Sequence, residues 1–259
     1  MQFRLCAEDE LDPRIYDFYC TALGAIQQSQ VPFLVGGAYA LARHTGIVRH
    51  TKDVDIFTRP EDCERILQAL STAGYRTELT DPRWLAKAYL GEDFIDVIFS
   101  SGNGIAEVDD AWFEHAIEAK IFGLPVRICP AEETIWSKAF IMERERFDGT
   151  DIAHLLRAYG ARLDWNRLLD RFGVHWRVLF SHLILFGYIY PDERESIPAS
   201  VMDLLAGRLR NAEEPQQTTG RLCQGTLLSK VQYAIDIERW GYQDARRLPS
   251  PDKTRPAAV

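Results

Sequence analysis

Apolar residues change their spacing along the chain, and the change divides it near residue 130. Residues 12–29, DPRIYDFYCTALGAIQQS, repeat apolar side chains at helical spacing, with Asp12 placed to cap and Pro13 suited to a first turn. VPFLV follows as a short strand ending at Gly36-Gly37, and AYALARHTG as a short helix that stops near Gly46. Polar and apolar positions alternate from Lys52 to Phe57, which predicts a strand. Arg59-Pro60 marks a turn, and EDCERILQALSTAG is an amphipathic helix ended by Gly74. WLAKAYL, Gly91-Glu92-Asp93 and FIDVIFS predict a β-hairpin, and GLPVRI an edge strand. Residues 1–130 therefore read as an α/β unit of four or five strands. Beyond Pro130, AEETIWSKAFIMERERF, TDIAHLLRAYG and DWNRLLDRFG all carry helical spacing. VLFSHLILFGYIY, residues 178–190, is the longest apolar run; it is shorter than the roughly 20 residues that span a bilayer and reads as a buried helix. A polar loop over 211–220 and a frayed, proline-rich tail over 248–259 complete the pattern.

Composition adds bounds. With 259 residues, 46% hydrophobic and 26% charged, the chain can bury a core without disulfide staples. A net charge of -8 argues against coating nucleic acid by bulk electrostatics. The 5 cysteines have no C-x-x-C pair and the chain opens on no signal-like segment, so a reduced, cytoplasmic setting is expected, with no membrane partner. The histidines lack H-x-x-x-H and H-E-x-x-H spacing, and neither G-x-x-x-x-G-K-S/T nor G-x-G-x-x-G occurs, which speaks against a histidine zinc site, a P-loop and a Rossmann site. His44 and His50 flank the segment discussed next and read as loop histidines.

The candidate chemistry lies in Asp53-Val54-Asp55-Ile56-Phe57. On a strand, Asp53 and Asp55 share one face while Val54 and Ile56 take the other. Two carboxylates so placed repel one another, and a hard divalent cation such as Mg2+ relieves the repulsion. Asp96 is a third acid, set in the apolar strand FIDVIF, and needs a reason to be there if it faces inward. Pairing that strand with 53–57 brings Asp96 beside Asp55 and Asp53, enough to hold one or two Mg2+ ions about 4 Å apart. Without metal, like-charge repulsion should raise at least one of these carboxyls. Upstream, Gly36-Gly37 closes a strand and opens a helix, whose N-terminal N–H groups suit a phosphate. A phosphate cradle beside a carboxylate cluster suits phosphoryl or nucleotidyl transfer.

The segment VGGAYALARHTGIVRHTKDVDIF resembles the opening signature of the nucleotidyltransferase superfamily that includes DNA polymerase beta. Within it, the segment is similar to small bacterial members, among them aminoglycoside and lincosamide adenylyltransferases and abortive-infection toxins. The resemblance implies an α+β fold, a small mixed β-sheet flanked by helices followed by a mainly helical domain. It divides the chain into a catalytic domain, 1–130, a helical domain, 131–247, and the tail. It implies that Asp53, Asp55 and Asp96 bind Mg2+, with Asp96 drawing the proton from the acceptor. Gly36, Gly37, Arg49 and Lys52 would contact the nucleotide, the last two from an R-x-T-x-D-x-D pattern. In KAFIMERERFDGTDIAHLL, Lys138, with Asp148 and Asp151, resembles a toxin-type segment, and the resemblance points Lys138 at the triphosphate or leaving group. A second account is that Asp148 or Thr150 caps the next helix. The implied reaction moves a nucleoside monophosphate from an NTP, such as ATP, to a hydroxyl on a small molecule, a protein or an RNA end. The competing classes are a non-catalytic binding partner of the same fold and a metal-dependent phosphatase or nuclease.

Overall fold

The computed structural model describes residues 12–49, 51, 53–211 and 220–248. His50, Lys52 and nearly all of the expected loop at 211–220 and tail at 248–259 lie outside the described residues. The chain divides into two compact units, Met1–Thr134 and Ile135–Val259.

The first unit begins with α1, Pro13–Gln28. The Asp12 carboxylate accepts the Arg14 N–H at 2.9 Å and Pro13 holds the first turn, as the capping pattern requires. Its buried stripe is Phe18, Tyr19, Ala22, Leu23 and Ile26. Then come β1, Leu34–Val35; α2, Gly37–Thr45; β2, Asp55–Phe57; and α3, Cys63–Thr72. β3, Arg76–Asp81, β4, Leu85–Leu90, and β5, Asp93–Ile98, form an antiparallel meander. α4, Asp110–Glu114, β6, Ile117–Ile121, and β7, Leu124–Ile128, follow.

The strands form one mixed seven-stranded sheet in the order β3-β4-β5-β2-β1-β7-β6. β1 runs antiparallel to β2 and parallel to β7, and β2 runs parallel to β5. Four or five strands were expected. The extra strands, RTELTD and IEAKI, carry charged side chains at exposed positions that mask a strand's apolar repeat. GLPVRI is not an edge strand. Exposed Pro125 and Arg127 give it an edge-like pattern, yet β7 sits between β1 and β6, with Val35 opposite Ile128.

Side-chain alternation sorts the sheet into a closed face and an accessible one. Val54, Ile56, Ala86, Ala88, Ile95 and Val97 are fully buried. The alternate positions, Asp53, Asp55, Lys87, Phe94 and Asp96, are only part-buried. Burying the apolar set fixes the strand register, because a one-residue slip would exchange the two sets.

The second unit is mainly helical. α5, Ala131–Ala139, runs through the division and is followed by α6, Gly149–Tyr159, α7, Trp165–Phe172, α8, Trp176–Ile189, and α9, Ala199–Arg210. α8 packs against α6, α7 and α9. It is buried on one side only: Leu179, Leu183 and Phe186 are enclosed, while Ile184, Leu185, Tyr188 and Ile189 are exposed. That corrects the expectation of a buried helix. By length and composition alone the helical stretch Trp165–Ile189 is apolar enough to cross a membrane, its most apolar 18-residue window having a mean hydropathy of 1.2.

Ile56 lies at the centre of the closed face with no exposed surface. Ile56→Ala should lower unfolding free energy by about 2–5 kcal/mol in chemical denaturation, through lost burial and a residual cavity. A loss below about 1 kcal/mol would contradict its central place in the core.

Candidate functional site

β2 and β5 are adjacent and parallel, with Asp55 directly opposite Asp96. Pairing reaches one residue past the formal strand, since the Asp96 N–H donates to the Val54 carbonyl at 3.2 Å. Asp53 precedes β2 and is held by Thr51, whose hydroxyl donates to Asp53 Oδ1 at 2.7 Å. One carboxylate oxygen from each of Asp53, Asp55 and Asp96 lies within 4.8 Å of the others. Three half-buried hard-oxygen donors at this spacing could coordinate a divalent cation and fit Mg2+ by donor chemistry.

The Gly36-Gly37 turn abuts this cluster. The Gly36 N–H donates to the Asp55 carbonyl at 2.9 Å. Gly37 has φ +54, and a Cβ there would fall 1.7 Å from Asp55 Oδ2. A Cβ on Gly36 would meet the Phe57 ring at 2.2 Å, and that ring is stacked on Trp112. Both glycines are therefore required by close approach, and Gly37 also by its left-handed backbone. α2 begins here, so the N–H groups of its first turn lie beside the carboxylates. Arg49 is exposed on the segment leading to Asp53; Lys52 lies outside the described residues.

Burial pushes the Asp96 carboxyl above its ordinary value; Lys87 pulls it back, and the Asp53 charge adds to the rise. The leading cause is thus desolvation rather than the like-charge repulsion anticipated from sequence. The buried Tyr19 phenol is raised in the same way, first by burial and then by the charges of Asp53, Asp93 and Asp55.

Lys87 is the member of this site that sequence reasoning missed. Its ammonium sits 2.5 Å from Asp96 Oδ1 and 4.0 Å from the centre of the Phe94 ring. The signal was present in the expected hairpin. A two-residue turn at Gly91-Glu92 pairs Leu90 with Asp93, and stepping back along both strands pairs Lys87 with Asp96.

Lys138 lies in the second unit. Its ammonium is 2.8 Å from Asp148 Oδ2 and 2.9 Å from Asp151 Oδ2, and Arg146 also holds Asp148. Burial pulls the Lys138 ammonium down, but the two carboxylates outweigh it and hold it above its ordinary value. Burial pushes the Asp148 carboxyl up, but Arg146 and Lys138 outweigh it and hold it below. Asp148 stands at the N-cap of α6 without a side-chain capping bond. His44, read as a loop residue, is buried in α2, with Nε2 2.8 Å from the Cys129 carbonyl oxygen. His182 is buried against the Ala139 carbonyl, and burial lowers its pKa.

Residues 22–180 match the family described as "Uncharacterised nucleotidyltransferase". Among solved structures, the antibiotic-resistance factor ANT(2'')-Ia shares 20% identity over 66% of this chain and 98% of its own, with a TM-score of 0.48. The lincosamide antibiotic adenylyltransferase LnuA shares 15% over 56% of this chain and 94% of its own, at 0.38. JHP933 from Helicobacter pylori shares 14% over 88% of this chain and 99% of its own, at 0.39. No curated protein matches.

Two predictions follow from the geometry. Gly37→Ala should cost at least about 1 kcal/mol of stability, read as a lowered melting temperature, because a Cβ meets both an unfavourable backbone and the Asp55 carboxylate. A wild-type melting temperature would show that the turn and β2 do not approach as described. The raised Asp96 carboxyl gives the fold stability that is fully present below the unfolded pKa of about 3.9 and is lost as pH rises through the shifted value. In EDTA, wild type should therefore lose stability relative to Asp96→Asn as pH rises from about 3.5 toward neutrality. A pH-independent difference would remove the shift.

Proposed function

Because the chain belongs to this family of nucleotidyltransferases, we propose that it transfers a nucleoside monophosphate from a nucleoside triphosphate to an acceptor hydroxyl, releasing pyrophosphate. The observation that carries this reading is the contact between the two halves of the site: Gly37, at the opening of α2, lies against Asp55 of the acid trio. A phosphate cradle and a cation site share one wall.

Asp53, Asp55 and Asp96 would hold Mg2+, which would supply charge neutralisation for the triphosphate and a lowered pKa for the acceptor hydroxyl. The chain's own groups do the rest. N–H groups at the start of α2 hold phosphate oxygens, with Gly36 and Gly37 allowing close approach. Thr51 fixes Asp53 by its hydroxyl. Asp96 Oδ2, the oxygen opposite the Lys87 contact, takes the acceptor proton, and its raised pKa suits a general base better than an ordinary carboxylate. Arg49 and Lys52, on the approach to Asp53, are assigned to the nucleotide. Lys138 is assigned to the triphosphate or leaving group on the resemblance alone. The net charge of -8 supports a small-molecule or protein acceptor over a long nucleic acid.

Calorimetry with ATP, GTP, CTP and UTP, with and without Mg2+, tests this reading. Wild type should bind at least one triphosphate in a Mg2+-dependent way, and Asp53→Ala/Asp55→Ala should lose that binding while remaining folded. Absence of triphosphate binding by folded wild type would overturn the transferase reading in favour of a non-catalytic binding partner.

A further inference from the structure

Lys87 of β4 stands opposite Asp96 of β5, which stands beside Asp55 of β2. Three neighbouring strands thus set an ammonium and two carboxylates in one row across the sheet. The adjacent positions Ala86 and Ala88 are fully buried, so the alternation of β4 commits Lys87 to the face of the acids. The lysine and aspartate side chains are only 20% and 17% exposed, and the Phe94 ring backs the ammonium. The ammonium is therefore held close to the cluster instead of extending into solvent.

Three ionised carboxylates without a counter-charge would repel one another strongly in a half-buried site. Lys87 offsets part of that repulsion: the ammonium and the three ionised carboxylates together carry a charge of -2, opposite to that of one divalent cation. We propose that Lys87 is a resident counter-cation of the acid trio, against whose charge a divalent metal must bind, so that this lysine tunes metal affinity by way of Asp96. This inference rests on the metal reading given under the proposed function. An incoming cation meets Coulomb repulsion from an ammonium 2.5 Å from one of its ligands, and burial limits screening by salt. Lys87 is a positioning residue in this account: it acts on the metal site through Asp96 and does not touch substrate.

The test uses the full chain stripped with EDTA and Mn2+ alone as the probe. Mn2+ affinity by calorimetry and melting temperature with and without Mn2+ are compared for wild type, Lys87→Met and Lys87→Arg. Lys87→Met should bind Mn2+ about tenfold more tightly, since the opposing charge is gone. It should melt lower than wild type without metal and gain more degrees on adding Mn2+, because the metal replaces the missing counter-charge. Lys87→Arg keeps the charge and should match wild type in both respects. A lysine that only braced the hairpin would lower the melting temperature equally with and without Mn2+. Lys87→Gln carries the same expectation as Lys87→Met and covers a Met variant that does not fold. Wild-type Mn2+ binding with unchanged or weaker affinity in the neutral variants overturns this inference alone. No Mn2+ binding by wild type overturns the metal reading and this inference together.

Discussion

The repulsion between Asp53, Asp55 and Asp96 is the constraint around which the first unit is arranged. Their oxygens lie within 4.8 Å, a separation that free carboxylates in solution would not keep. The closed face of the sheet enforces it. Burying Val54, Ile56, Ile95 and Val97 fixes the registers of β2 and β5, and those registers leave Asp55 and Asp96 side by side on the other face. The free energy of apolar burial thus holds an electrostatically unfavourable arrangement in place. Lys87, Thr51 and the Gly36-Gly37 turn are the local accommodations: a counter-charge, a hydroxyl donor, and a backbone with no side chain to obstruct Asp55.

Much of this was legible in the sequence because it rests on a period of two. Alternation placed Asp53 and Asp55 on one face, and the hairpin around Gly91 placed Asp96 on an apolar strand. The mixed sheet followed by helices also agrees with the expected fold class. What escaped was cross-strand information. Nothing local in LPVRI says that β6 covers one side and β1 the other, so an interior strand with solvent-facing Pro125 and Arg127 looked like an edge. RTELTD and IEAKI were missed because their charged side chains hide the apolar repeat. Lys87 was passed over because its meaning comes from the residue opposite, although counting back from the hairpin turn would have found it. His44 was read as a loop residue because it falls in the last turn of the expected helix, just before Gly46, whereas that turn packs the imidazole inward onto the Cys129 carbonyl.

The second unit shows the same balance of burial and charge in another form. Lys138 is largely enclosed, and two aspartates, themselves mostly buried, hold it charged. Removing either partner of such a group leaves an uncompensated buried charge, so the pair is a point of structural vulnerability whatever its chemical part. Here too the sequence named the residues but not their partners: D-x-x-D read equally well as a helix cap, whereas the Asp148 carboxylate is spent on Lys138 and Arg146 instead of the backbone of α6.

The central claim is that the acid trio holds a divalent cation in contact with a triphosphate. The most direct test is a crystal grown with Mn2+ and a non-hydrolysable nucleoside triphosphate, with the metal located by anomalous scattering. The account predicts an anomalous peak bound by Asp53, Asp55 and Asp96, with phosphate oxygens reaching toward the opening of α2. A nucleotide bound elsewhere, or a triphosphate at Gly36-Gly37 with no metal on the three carboxylates, would contradict it.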